Sequence, residues 1–433
     1  MRRSPHDREI LRLAVLALGS LAAEPLYVLV DTAIVGHLGR PQIAALGLAG
    51  TVLAATFGIF NFLTYGTTAV VARASGAGQD ERAARLAAQA LWLALAIGVT
   101  LLVVAEAVAE PFLQALGANG RSGAYAVDYF RIAALGLPAA LLALAGQGYL
   151  RGVANLRRPL EIVVASNVLN VVLELVFVYA FGWGIVGSAA GTAIAQGAMG
   201  VAFVVELLGP PADSRRPNLA DMRPMIRVGR QIFVRTTALM GSFVVAASVL
   251  ARVGDAPLGA HQIAFQLWTF LALVLDGVAI AGQVIVGRLL GAGDAEGARA
   301  AASRMIGWSI GIGVVFAAVL LPLAGWVPRA FTDDAGVIHQ ANLVWPLLAL
   351  MQPLAGAVFA LDGILIGASD TQYMMWSVLA ATLVVFVPVS LLSLHFGWGL
   401  VGVWCGITGL IVARLALLGA RFAGRRWAVV GWA

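Results

Sequence analysis

The chemistry in this chain begins with acids placed where acids are expensive. Asp31 sits inside the first long apolar segment, in the stretch Ala23-Glu24-Pro25-Leu26-Tyr27-Val28-Leu29-Val30-Asp31-Thr32-Ala33-Ile34-Val35-Gly36-His37, with Glu24 seven residues before it. Seven residues is close to two helical turns, so the two side chains share one helix face. A charge in apolar surroundings costs several kcal/mol unless it faces a cavity or finds a partner, which makes such an acid a functional candidate. A later apolar segment carries Asn167, Asn170 and Glu174 at i, i+3 and i+7, a polar stripe on one face. The segment after it carries Thr192. Measured from the nearest segment end, Asp31 lies six residues below His37, Glu174 seven below Phe181 and Thr192 eight below Gly184. At ~1.5 Å per residue these depths are about 9, 10 and 12 Å, so three helices bring polar groups to one level. Two acids with amide and hydroxyl oxygens can share a proton or cage a small hard cation. Because two carboxylates at one depth repel when both are ionised, one shared proton is expected, which favours H⁺ over Na⁺.

The elements that must position these groups follow from composition. The chain has 433 residues, is 61% hydrophobic and 12% charged, and has a mean hydropathy of +0.90. A soluble domain carries about 25% charged residues, and here runs long enough to span a bilayer recur from end to end. The sequence predicts an all-α polytopic membrane protein with twelve spans, near 10–36, 44–72, 88–108, 126–150, 160–180, 184–208, 228–252, 259–286, 302–324, 341–367, 372–395 and 398–420. Every one of the 28 basic residues is Arg. They concentrate at the N-terminus, in the even-numbered loops and in the tail, which places both termini in the cytoplasm and accounts for the net charge of +6 without nucleic acid. A multi-pass protein of the plasma (inner) membrane, acting as a monomer among membrane lipids, is the expectation.

Landmarks recur at an offset of 215 residues. Arg73-Ala74-Ser75-Gly76-Ala77-Gly78 returns as Arg288-Leu289-Leu290-Gly291-Ala292-Gly293, and Phe181-Gly182-Trp183-Gly184 as Phe396-Gly397-Trp398-Gly399. Pro138 pairs with Pro353, and Gly148 and Gly152 with Gly363 and Gly367. The chain is read as a duplicated six-helix unit, two parallel repeats about an axis along the membrane normal. The expected division is an N-lobe over 1–208 with the coupling acids, a cytoplasmic linker over 209–227 and a C-lobe over 228–433. The acids are not duplicated: at the same offset Asp31 maps to Ala246, Asn170 to Val385 and Glu174 to Val389. The second half has ionisable residues of its own in Arg235, Asp276 and Asp362. Either a buried pair of Arg235 with one of these aspartates, or a ligand pocket, accounts for them. Gln262, Gln266, Trp268, Gln283, Met351, Met374 and Met375 are further candidate lining residues, and Glu24, Asn61 and Tyr65 are substrate-binding candidates in the first half.

Several functions are excluded or left without support. A chain without Lys has no Walker A lysine, so the Gly-rich turn at Gly76-Ala77-Gly78 is not an ATP-binding loop. Cys405 is the one cysteine, which removes internal disulfides and cysteine-rich metal sites. No His-Glu-x-x-His pair and no Ser/His/Asp arrangement suggests an enzyme, and no cofactor is expected.

Val30-Asp31-Thr32 through Val35-Gly36-His37-Leu38-Gly39 resembles the first-helix signature of the multidrug and toxic compound extrusion (MATE) transporters, DinF-like branch. So do Thr64-Tyr65-Gly66-Thr67-Thr68, Ala260-His261-Gln262-Ile263-Ala264, Leu289-Leu290-Gly291-Ala292-Gly293-Asp294, and Leu361-Asp362-Gly363 with Gly367. The resemblance implies two six-helix lobes that export cationic, amphipathic or aromatic compounds, drugs among them, in exchange for H⁺ or Na⁺. It also implies a cation site at Asp31, Asn170, Glu174 and Thr192, the positions where Na⁺ would sit if it were the coupling ion. Glu174 stands where the family commonly has Asp, and Leu16 where many members have a Pro near the start of helix one. A flippase for lipids or lipid-linked precursors on a related scaffold is the alternative function, and its need for a basic lumen is poorly met by the few Arg within spans.

Overall fold

A computed structural model describes residues 7–212 and 214–431. The first six residues of the expected N-lobe, Asp213 of the linker and the last two residues of the expected C-lobe lie outside the described residues. Among those described, the regular structure is helical throughout, and hydropathy and length mark ten helices able to cross a membrane, or twelve with two bent pairs each counted as one span. In chain order these are α1 (Asp7–Gly36), α2 (Arg40–Gly76), α3 (Asp80–Ala115), α4 (Gly120–Ala134 with Leu137–Gly152), α5 (Arg157–Ala180) and α6 (Gly184–Leu208). The second half repeats the series as α7 (Leu219–Val253), α8 (Asp255–Gly291), α9 (Ala295–Leu323), α10 (Ala335–Leu350 with Gln352–Gly367), α11 (Thr371–His395) and α12 (Gly399–Ala423). Each of the twelve expected spans falls on one of these.

The duplication is written into the backbone. α4 bends by 50° before Pro138 and α10 by 51° before Pro353, because a proline in the first turn after a break cannot donate to the preceding turn. The connections α5–α6 and α11–α12 take the same left-handed steps, with φ of +70° and +58° at Gly182 and Gly184 and +68° and +59° at Gly397 and Gly399. Even the non-glycine exceptions agree, since Ala154 and Ser369 both sit at φ +58°.

Helices approach closely where side chains are missing. A Cβ at Gly98 would lie 2.6 Å from Pro138 Cα, and one at Gly313 would lie 2.6 Å from Pro353 Cα, the same contact once in each repeat. Gly148 meets the Thr64 carbonyl of α2 and Gly363 the Ala279 carbonyl of α8, again 215 residues apart. Small residues at crossings let apolar helices pack by dispersion where the hydrophobic effect between them is weak.

Two compact units result. One spans Gly19–Gly229, and the other comprises the described residues up to Leu18 and from Arg230 onward. The leading turns of α1 and α7 are thus exchanged between units. In the C-terminal unit Asp7 accepts from Arg304 at 2.6 and 2.7 Å and from the Trp308 indole at 3.1 Å, while Glu9 accepts from Arg288 at 2.8 Å. In the N-terminal unit Met222, Met225 and Val228 are buried on one face of α7, and Phe62 abuts Gly229. This is why α7 begins at Leu219 and takes in residues that the polar linker 209–227 was expected to contain: Met222, Met225 and Val228, three residues apart, are apolar and have a surface to cover.

Gly363→Val should force α8 and α10 apart at the Ala279 carbonyl, with a loss of about 1–3 kcal/mol or more and reduced yield of monodisperse protein. Gly311→Ala, where nothing lies within 4 Å of the added carbon, should leave the unfolding temperature unchanged or slightly higher. Equal tolerance of both substitutions in size-exclusion and thermal unfolding runs would contradict the packing described.

Candidate functional site

Three helices of the N-terminal unit each contribute two polar side chains one turn apart: Tyr27 and Asp31 from α1, Asn170 and Glu174 from α5, Ser188 and Thr192 from α6. An i, i+4 pair lies on one helix face, so each helix aims both groups inward together. Asp31 is 5% exposed, Asn170 3%, Glu174 0% and Thr192 6%. Ser188 Oγ donates to Asp31 Oδ1 at 2.9 Å. Thr192 is the hub: its hydroxyl donates to Glu174 Oε1 at 3.5 Å, accepts from Asn170 Nδ2 at 3.2 Å and lies 3.1 Å from the Tyr27 hydroxyl, which is left to donate. Tyr129 of α4 is buried and closes the cluster beside Ser188 and Thr192.

The carboxyls of Asp31 and Glu174 are close neighbours. Glu174 Oε2 and Asn170 Oδ1 are buried and accept no hydrogen bond. Two carboxyl groups present only acceptors when ionised, so this juxtaposition needs a proton between them or a cation among their oxygens. The donor set is all oxygen, which suits H⁺ and also a hard cation such as Na⁺.

Local backbone prepares the site. Glu174 is the last α-helical residue of α5, and a π-helical turn runs from Leu175 to Ala180 directly after it, a feature that re-aims side chains at functional positions. Gly191 gives Glu174 its room, since a Cβ there would lie 3.2 Å from Glu174 Cγ. In α1 the helix continues through Pro25, and Asn167 reaches across to donate to the Ala23 carbonyl at 3.0 Å within that turn.

The four coupling residues expected from sequence are therefore brought together. Tyr27, Ser188 and Tyr129 join them without having been singled out; the i, i+4 spacing of Tyr27 to Asp31 and of Ser188 to Thr192 was the available signal.

The ligand candidates do not gather in this way. Glu24, Gln262 and Gln266 are exposed, and Asn61, at the break within α2, is half-buried like Tyr65 and Asp276. Trp268 packs into an aromatic group with Phe243 and Phe265, at ring separations of 5.3 and 6.1 Å. Arg235 and Asp362 do meet. Asp362 Oδ2 accepts from Arg235 and also from Arg414, an arginine of α12 that the sequence reading left unassigned. Of the two alternatives the sequence left open, the buried pair of Arg235 with an aspartate is present, and Arg414 joins it as a second guanidinium on the same oxygen.

The MatE family model matches residues 17–176 and again 232–392, so each repeat is recognised separately. The chain is 31% identical over 431 residues to Protein DETOXIFICATION 44, chloroplastic, of Arabidopsis thaliana, covering 94% of this chain and 80% of that protein. It is 27% identical to DNA damage-inducible protein F of Escherichia coli, covering 94% of this chain and 92% of that one. It is 29% identical to a probable multidrug resistance protein NorM of Bradyrhizobium diazoefficiens, at 96% and 94% coverage. A crystal structure of a MATE protein in a bent conformation superposes with a TM-score of 0.90 at 23% identity, covering 98% of this chain and 97% of that chain. A Vibrio cholerae MATE transporter superposes at 0.88 with 20% identity, covering 97% and 98%. These last two establish the fold. With both repeats matched and the whole twelve-helix course shared, the chain belongs to the multidrug and toxic compound extrusion family of membrane transporters.

Proposed function

We propose that this protein is a secondary active antiporter that exports amphipathic organic compounds, cations among them, in exchange for H⁺. The observation that carries the reading is the Asp31–Glu174 pair, two buried carboxyls that face each other among hydroxyl and amide groups. No arginine hydrogen-bonds to either acid among the described residues, so the pair has no fixed positive charge to hold both groups ionised. Protonation from one side and release to the other then changes the charge of the cluster, and a ligand can drive a conformational equilibrium only through such differential interaction. Na⁺ is the competing ion for the same oxygens. The proton is preferred because the unpaired Glu174 Oε2 needs one small donor rather than the five or six oxygens that a metal ion gathers. The second repeat, which has Ala246, Val385 and Val389 at the equivalent positions, is assigned to substrate contact rather than to coupling. Insertion in the inner membrane as a monomer with both termini cytoplasmic completes the reading.

Asp31→Asn and Glu174→Gln keep volume and remove a titratable group. Both should insert and fold, with unfolding temperatures near that of the parent, and should lose at least tenfold in energised norfloxacin efflux. A well-expressed Asp31→Asn variant with normal efflux would remove the site from the mechanism. The ion is decided separately. Proteoliposomes with an imposed pH gradient should accumulate or release substrate in its direction, while a Na⁺ gradient at constant pH should have no effect. Transport that follows Na⁺ and ignores pH would transfer the role to the metal ion.

A further inference from the structure

The C-terminal unit holds a charged cluster that coupling leaves unused. Arg235 of α7 and Arg414 of α12 converge on one oxygen of Asp362 in α10, and their side chains are 13%, 7% and 8% exposed in that order. Asp362 Oδ1 and the Nε–H groups of both arginines are buried and have no partner. The formal charges of the three groups leave an excess of one positive charge. An ion pair that only ties helices together needs one arginine. The second leaves a cation out of water with no counter-charge, which is strongly unfavourable unless an anion approaches. Nor is the cluster a relic of the duplicated packing, because the equivalent positions of the first repeat are Ser20, Gln147 and Met199.

We propose that Arg235, Arg414 and Asp362 form the site for the anionic group, specifically a carboxylate, of a transported compound. A guanidinium binds a carboxylate best through a fork of two parallel N–H bonds, and on both arginines the Nε–H member of that fork is free. Asp362 anchors the two guanidinium groups at a common point and leaves the net charge that one carboxylate neutralises. A purely cationic compound meets repulsion at this place, so the cluster selects zwitterions and organic anions over simple cations. That the ligand is cargo rests on the export reading above; the binding preference does not, and it is measured without any ion gradient, so failure of one is distinguishable from failure of the other.

The test uses purified full-length protein in lipid nanodiscs with norfloxacin, which carries a carboxylate, and norfloxacin ethyl ester, which does not. The parent should bind the acid at least tenfold more tightly than the ester by titration calorimetry. Arg235→Gln leaves Asp362 and Arg414 as a neutral pair and should bring the two affinities within about twofold of each other. Arg235→Lys keeps the charge without the fork, and should retain a preference reduced at least threefold. Equal binding of acid and ester by the parent, tighter binding of the ester, or a preference unchanged in both variants would each overturn the proposal. So would loss of the preference when chloride is added to a low-salt buffer, which would make the cluster an inorganic-anion site.

Discussion

Two carboxyl groups held face to face in a water-poor helix bundle cannot both stay charged without a proton or a cation between them, and the N-terminal unit is built around that constraint. Asp31 and Glu174 are surrounded by groups that orient them without neutralising them. Ser188 and Thr192 donate one hydroxyl each, Asn170 and Tyr27 fix the hub at Thr192, and among the described residues no arginine hydrogen-bonds to either acid. Replacing any of these neutral donors by a cation would settle the charge of the pair permanently and end its capacity to respond. The π-helical turn after Glu174 and the missing side chain at Gly191 belong to the same requirement, because both concern where the longer Glu side chain places its carboxyl.

The scaffold is a duplicated one, and duplication explains what is rigid in it. Close contacts without side chains, such as Gly98 on Pro138 and Gly313 on Pro353, recur once per repeat with matching geometry. So do the proline bends of α4 and α10 and the left-handed steps that lead into α6 and α12. These features depend on backbone approach, and backbone approach tolerates few replacements, so both copies keep them. Charged groups face no such restriction and have diverged. The N-terminal unit sets two acids side by side, and the C-terminal unit sets two arginines on one aspartate. Opposite charge on one repeated frame is a direct way to give a transporter two chemically different ligands.

Much of this was legible along the chain. Spans follow from hydropathy, the repeat from identical motifs at constant spacing, and the shared level of Asp31, Glu174 and Thr192 from counting residues along helices of known rise. Each of these is a one-dimensional quantity. Less legible were the start of α7, which extends into the polar linker to cover a surface, and the exchange of leading turns between units. A segment rich in Pro and Arg reads as a connection until the surface under Met222, Met225 and Val228 is known.

What the sequence determined by itself is therefore the class, the number and order of helices, the duplication and the depth of the polar groups. The tertiary structure alone decided which groups touch. Residue counting gives height on a helix but leaves open how each helix is rotated against its neighbours. That rotation brings Ser188, Tyr27 and Tyr129 to the acids, and it sets Arg414 beside Arg235 so that Asp362 is shared rather than free. Hydroxyls and arginines occur on many membrane helices for ordinary reasons, and only packing of α7, α10 and α12 against one another turns two separated arginines into one site with an excess of positive charge.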